Sequence, residues 1–444
     1  MGVQALTPPN PAPGAPLRRW VHAALAVVVI VVGVQYMAKA AEDRSAFVRW
    51  RNQLHDLGQG EDIYQLYVYP NAPMMALILY PLSLLPKVSL ASLDIDLGAL
   101  AWFALKVGMA ILAFAWTVRL VQERDRPLPP GAQLVTALLS LRPIIGDLSH
   151  GNVNLLILFL VVAALYAFKH GRDGLAGVVL ALAITCKVTP ALFLPYFVWK
   201  RAWKTVAGCT AGLVLFLVLI PGTLLGPAHN WQLLNSWVEK MILPYALHGE
   251  VTTEHHNQSL PGLVYRLGTA SPSFYDDNEQ PADYHNLVSW HPDTARWVVK
   301  GCTLAFLVLL CWSCRTPTRP RDDWRLAAEF AVVVLGMLLF SERTWKHHCV
   351  TLLLPYAVLC YAVAALRLAP GWRWSLSGVV AASVLVMATT STSLWEVFGY
   401  RHGAKLAQAY GAYVWAELLL LTALVALLRK HRTPAGKRRP QLET

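Results

Sequence analysis

Charge is what this chain is short of. Only 14% of its 444 residues are Asp, Glu, Lys or Arg, and acids are the scarcer kind, 26 against 38 Lys and Arg. A soluble domain carries about 25% charged residues, so a water-facing globule is excluded. Cysteine is sparse where a secreted fold would need it: all 7, from Cys186 to Cys360, lie in or at the edges of apolar runs. No disulfide framework is implied, and Cys311-Trp312-Ser313-Cys314 has no second pair to complete a zinc site. A Walker loop and a dinucleotide fingerprint are also missing, which leaves nucleotide chemistry without a seat.

What is present is apolar: 56% hydrophobic residues and a mean hydropathy of +0.43. The runs are rich in Leu, Ala and Val at lengths of roughly 20 residues, so they read as spanning helices rather than barrel strands. Hydropathy suggests about twelve of them. Cation placement sets their direction: Arg18 and Arg19 precede the first run, Arg119, Arg124 and Arg126 follow the second, Lys169 and Arg172 the fourth, and Lys200, Arg201, Lys204, Arg315 to Arg325, Arg367, Arg373 and Arg429 onward continue the series. Those ends are expected to be cytoplasmic, both termini included. The net charge of +12 is mostly this bias, which attracts anionic membrane lipids; the short loops offer no basic surface for nucleic acid. Residues 1–17 read as a disordered cytoplasmic leader, 18–429 as one transmembrane domain and 430–444 as a basic cytoplasmic tail. The first apolar run, ending at Ala38-Lys39-Ala40, is longer than a signal-peptide core and reads as a retained span.

Gly174 to Lys200 begins and ends at cytoplasmic cations, so it must go out and return. The expected turn is Lys187-Val188-Thr189-Pro190, with limbs too short for full spans, as in paired broken helices around a polar cavity. One long tilted helix with a snorkelling Lys187 is the alternative. Two outer loops, about 42–95 and about 227–295, exceed connector length and are expected to carry interfacial helices.

The costly polar residues then fall on one face: Asp43, His150, Asn152, Lys187, His255-His256-Asn257 and Trp345-Lys346-His347-His348. Ionisable groups at membrane depth are functional candidates by default. Each has a structural counterpart: Asp43 ends the first helix, Lys187 snorkels, Asn152 caps the next helix, and Trp345, Tyr69 and Trp231 belong to an interfacial belt.

The order Asp43-x3-Phe47, Gly60-x3-Tyr64, Tyr69-Pro70-Asn71-x-Pro73, His150-Gly151-Asn152-x-Asn154, Lys187-x2-Pro190, Asn257-Gln258-Ser259-Leu260-x-Gly262 and Trp345-x-His347-His348 resembles glycosyltransferase family 87, the polyprenyl-phosphate-mannose-dependent alpha-mannosyltransferase-like proteins. The resemblance runs from about residue 40 to residue 365 and implies an all-α polytopic GT-C helical bundle. It further implies a hexose, mannose being the best guess, taken from a polyprenyl-phosphate-sugar donor to a lipid or glycan acceptor at the outer face of the inner membrane. A sugar leaving a lipid phosphodiester places a second negative charge on phosphate, which fixed cations must meet. Lys187, His347, His348, Arg343 and Lys346 are the expected phosphate ligands. Asp43 is the expected general base of an inverting displacement, with Glu42, Asp62, Asp147 and Glu254 as rivals. Tyr69, His150, Asn152, Asn154, His255, His256, Asn257 and Trp345 are expected to contact substrate. Neither a metal nor another cofactor is expected, because the paired histidines lack a clearly placed carboxylate. A transporter or flippase, or a catalytically silent subunit that binds lipid-linked sugar, are the competing readings.

Overall fold

The computed structural model describes residues 15–90, 93–275, 280–400 and 402–431. Most of the expected leader and basic tail, and the acidic Asp276-Asp277 pair, lie outside the described residues. Among the described residues seven helices are long and apolar enough to cross a membrane. They are Ala24–Ala41, Leu97–Val121, Trp203–Leu225, Pro292–Ser313, Lys346–Ala365, Pro370–Ala388 and Ala412–Lys430. Asn154–Lys169 and Asp173–Cys186 are apolar but shorter, and Pro130–His150 and Trp324–Leu339 complete the bundle. Length and apolarity alone therefore support seven spans, fewer than the count of about twelve taken from hydropathy.

Side chains at the helix ends sort the bundle into two faces. At one, the Lys169 ammonium donates to the carbonyls of Arg119, Leu120 and Gln122, Arg321 pairs with Asp173, Lys200 pairs with Glu329 at 2.7 Å, and Arg325 donates to the His431 carbonyl. Each cation meets carbonyls left over at a helix C-terminus or an acid across a loop, which is why the basic ends cluster.

The 173–200 segment is a hairpin. The Asp173–Cys186 helix starts beside Arg321, and the chain returns through Thr189–Leu192 and the Phe193–Trp199 helix. It finishes at Lys200, whose ammonium reaches the Thr316 carbonyl and Glu329. Both limbs thus end on the 316–329 segment, and Lys187 sits at the far tip in extended backbone, φ −159° and ψ 130°. Pro190 prevents the first limb from continuing, since it supplies no amide donor. At Gly177 and Gly208 a Cβ would collide with the facing backbone, so the outgoing limb packs tightly on the Trp203–Leu225 span.

At the opposite face the loops carry secondary structure of their own. Ser45 caps the Ala46–Gly58 helix by accepting from the Val48 amide at 3.3 Å; Arg51 on that helix holds the Ser83 carbonyl at 2.8 Å and the Asp96 carboxylate. The second loop runs from Pro227–Trp237 through helical turns to His248, then Leu260–Gly268. Two antiparallel hairpins, Lys87–Leu90 with Leu93–Asp96 and Pro272–Tyr275 with Pro281–Tyr284, correct the purely helical expectation for these loops.

Candidate active site

The site is built on a buried ion pair. Lys106, in the middle of the Leu97–Val121 span, meets Asp147 at 2.9 Å, and neither side chain has any exposure. An unpaired charge here would be expensive, so each residue requires the other. Asp147 lies in the last turn of Pro130–His150, which Gly151 ends in the left-handed region at φ +69°. A Cβ on Gly151 would strike the Tyr36 ring, and its carbonyl accepts from the Trp102 indole at 3.0 Å.

Beyond that turn the Asp147 carboxylate accepts from the Leu155 amide at 3.3 Å and from the Asn154 side-chain amide at 2.9 Å. It is therefore Asp147, not Asn152, that satisfies the first turn of Asn154–Lys169. The Asn154 amide is thereby oriented with its oxygen outward, where the Lys187 ammonium donates to it at 2.7 Å. Lys106, Asp147, Asn154 and Lys187 form one continuous polar chain across three helices.

The Trp345–Leu352 segment supplies the other wall. A tight turn of about three residues per revolution covers Lys346–Leu352, so successive side chains diverge. Lys346 turns to the Thr390 carbonyl at 2.9 Å. His347 stacks on His150, ring centres 4.6 Å apart, with Nε2 3.2 Å from the Asn152 amide. His348 faces inward, and its Nδ1 accepts from the Trp345 amide at 3.2 Å, which places the ring proton on Nε2. Lys187, Asn154 and His348, with Thr189, Thr344 and Thr351, line a narrow pocket of about 20 Å³, room for about one water.

The other expected site residues have different places. Tyr69 has no exposure and packs edge-on against Trp50 at 5.8 Å, in the core rather than at the pocket. Asn257 is also fully buried and spends its amide on protein: it donates to the carbonyls of Thr252 and Glu342 and accepts from the amides of Ser259 and Thr344. It pins the second outer loop to the pocket wall. Arg343 is exposed and holds Thr252 Oγ1 at 2.6 Å. His255, His256 and Trp345 gather on that same loop edge, with His256 and Trp345 ring centres 6.3 Å apart.

Asp43 stands at the turn between the first span and the Ala46–Gly58 helix, with φ +54°, an uncommon conformation for a non-glycine residue. Its carboxylate is 72% exposed and 3.7 Å from Lys87. Lys39, one turn earlier, donates to Ser149 Oγ at 2.9 Å, which ties this end of the span to the His150 turn. Among its rivals, Asp147 is consumed by Lys106, Asp62 accepts from Ser236 at 2.6 Å and caps Tyr64, Glu254 bonds His256, and Glu42 bonds Arg44. Lys106 was not among the expected site residues, although a lysine centred in an otherwise apolar span is a readable signal.

The described residues thus form a multi-helix membrane bundle with two buried lysines, Lys106 within a span and Lys187 at a hairpin tip, joined through Asp147 and Asn154. The model of glycosyltransferase family 87 matches residues 67–341, and the chain belongs to that family. Two relatives are from Mycolicibacterium smegmatis. A polyprenol-phosphate-mannose-dependent alpha-(1-2)-phosphatidylinositol mannoside mannosyltransferase is 27% identical over 319 residues, 69% of this chain and 62% of the relative. A pentamannoside mannosyltransferase is 27% identical over 370 residues, 82% and 75% of the two chains. A Mycobacterium tuberculosis phosphatidylinositol mannoside mannosyltransferase is 27% identical over 377 residues, 83% and 78%. The match to the first of these spans less than two thirds of that relative's length.

Proposed function

We propose that this protein transfers a hexose, mannose in the first instance, from a polyprenyl-phosphate carrier to a lipid-linked or glycan acceptor at the outer face of the cytoplasmic membrane. The observation that carries this is the Lys187 ammonium, held at the tip of a broken-helix hairpin by Asn154 and the buried Lys106–Asp147 pair. A cation fixed in this way meets the charge that develops on phosphate without reorganising. Family membership and the mannose-dependent relatives support the donor class.

In the reaction the acceptor hydroxyl attacks the anomeric carbon as the carbon–oxygen bond to phosphate breaks. The electron pair stays on the phosphate, beside Lys187 and His348, and the hydroxyl proton passes to Asp43. Among the five carboxylates considered, Asp43 alone accepts no hydrogen bond, its nearest cation Lys87 standing 3.7 Å away. One displacement inverts the sugar centre. His150 and His347 form a stacked wall beside the Asn152 amide, suited to the sugar face and its hydroxyls. The helices supply about twelve membrane passages when the short limbs are included, with the cation-rich end and both termini cytoplasmic.

Purified protein in lipid nanodiscs, given synthetic polyprenyl-phospho-mannose and membrane-lipid acceptors, should release polyprenyl phosphate. Lys187→Ala is expected to lower the rate about 10²–10³-fold, the size of one lost transition-state donor, and Asp43→Asn to abolish transfer with donor binding intact. Donor binding without any release by the unmodified protein would overturn the enzyme reading. Full activity in Asp43→Asn would remove Asp43 as the base.

A further inference from the structure

Glu254 directly precedes His255-His256 in the sequence, and the folded outer loop turns the three side chains toward one another. Glu254, His255 and His256 each present one ligand atom, and these atoms lie within 4.8 Å of one another. His255 is only 5% exposed, yet neither of its ring nitrogens has a hydrogen-bond partner. Leaving a buried polar group unsatisfied costs about 1–3 kcal/mol, and native folds keep few such groups without a ligand to meet them.

The backbone beneath the three side chains is held as a metal loop would be. The fully buried Arg266 guanidinium donates to the carbonyls of Thr253, Glu254 and Asn257 at 2.8–3.1 Å, and to those of Gln408 and Ala409. The His255 amide donates to the Ser273 carbonyl at 2.9 Å, and Gln258 donates to the His255 carbonyl at 2.6 Å. The loop wraps one cation with its carbonyls and turns its side chains the other way.

We propose that Glu254, His255 and His256 bind one zinc-type divalent cation through a carboxylate oxygen and two imidazole nitrogens. Two imidazoles and a carboxylate suit zinc, and three protein ligands leave the fourth tetrahedral position open. Glu254 and His256 are now 2.6 Å apart; ligand atoms around tetrahedral zinc stand roughly 3.3 Å apart, a distance reached by a small rotation of the Glu254 side chain. A water would complete the shell, and Trp345 stands near the cluster, its ring centre 6.3 Å from that of His256. Metal binding here is independent of the transfer reaction and stands or falls separately from it.

The test uses full-length protein carrying no histidine tag, in nanodiscs, stripped with chelator and titrated with Zn²⁺ or Co²⁺. The expected result is about one metal retained per chain after gel filtration, with the visible absorption bands of tetrahedral Co²⁺. His255→Gln should weaken binding by more than the about 10–100-fold typical of an outer-shell change, and His255→Cys, another zinc ligand, should restore most of it. His248→Gln removes a nearby exposed histidine that faces Glu250 alone at 3.9 Å, and should leave binding unchanged. Retention of metal by His255→Gln equal to that of the unmodified protein would mean an adventitious ion only, held by the exposed Glu254–His256 pair. Failure of the unmodified protein to retain Zn²⁺ or Co²⁺ would equally overturn the proposal, whatever its transfer activity.

Discussion

Replacing Lys106 with Met keeps the side chain's length and removes its charge, which strands Asp147 in a site with no exposure. Breaking a buried ion pair from one side costs about 3–5 kcal/mol, since the remaining charge loses its partner and cannot reach water. Asp147 keeps two other donors, Asn154 and the Leu155 amide, so the lower half of that range is expected. One kcal/mol shifts the unfolding midpoint of a 150–250-residue domain by about 2–4 °C, and a larger chain by roughly half as much, so the midpoint should fall by about 3–8 °C. The second arm is Lys106→Met with Asp147→Asn, which removes both charges and retains an acceptor for Asn154. It should recover more than half of the lost stability. Thermal unfolding in nanodiscs reads both variants, and donor titration reads the consequence for the site. With Asp147 protonated or displaced, Asn154 is no longer oriented and Lys187 is released, so donor affinity should fall even below the unfolding range. A midpoint within 1 °C of the unmodified protein, or a double variant no more stable than the single one, would refute the idea that this pair organises the site.

Tyr69→Phe should leave both stability and the KM for donor unchanged, because the Tyr69 hydroxyl is buried without a partner and the ring lies in the core; a large rise in KM would return Tyr69 to the sugar site. Gly151→Ala places a methyl in the left-handed region against Tyr36, and should cost about 1–3 kcal/mol in thermal stability, the scale of one strained backbone position. Asn257→Ala strips partners from the amides of Ser259 and Thr344 and the carbonyls of Thr252 and Glu342. Limited proteolysis should then cut the second outer loop faster, with a stability loss of about 2–4 kcal/mol; unchanged cleavage would show that the loop is pinned elsewhere.

Much of the arrangement was legible because the bilayer prices polarity so steeply. The sidedness of His150, Asn152, Lys187 and His347 followed from counting cations at span ends, and the break at Lys187 followed from limb length and Pro190. The pair beneath them was not legible in the same way: Lys106 and Asp147 are 41 positions apart on different helices, and no local spacing rule joins them. Asn257 shows a different limit. Its residue type fits a sugar ligand as well as a loop clamp, and only its occupied hydrogen-bonding capacity in the folded chain separates the two. The loop hairpins escaped because their strands are only four residues long and two of them begin with proline, which weakens the alternating pattern of a strand. Glu254 directly precedes His255 in the sequence, but adjacency does not say that the ligand atoms of the three residues converge; the folded loop brings them within 4.8 Å of one another.

The hairpin that bears Lys187 also sets a depth. Its outgoing limb, Asp173–Cys186, has 14 residues and at 1.5 Å per residue reaches about 21 Å, against a hydrocarbon layer about 30 Å thick. Anchored at one surface by Arg321 and Lys200, it brings its lysine to a level still several ångströms below the opposite headgroups. In the proposed transfer reaction a carrier phosphate would reach that ammonium by dipping beneath the water line while its isoprenoid tail stays in the lipid. Bond breaking would then take place where water is scarce and the medium weakly polarisable, so a single ammonium would count for far more than at the surface.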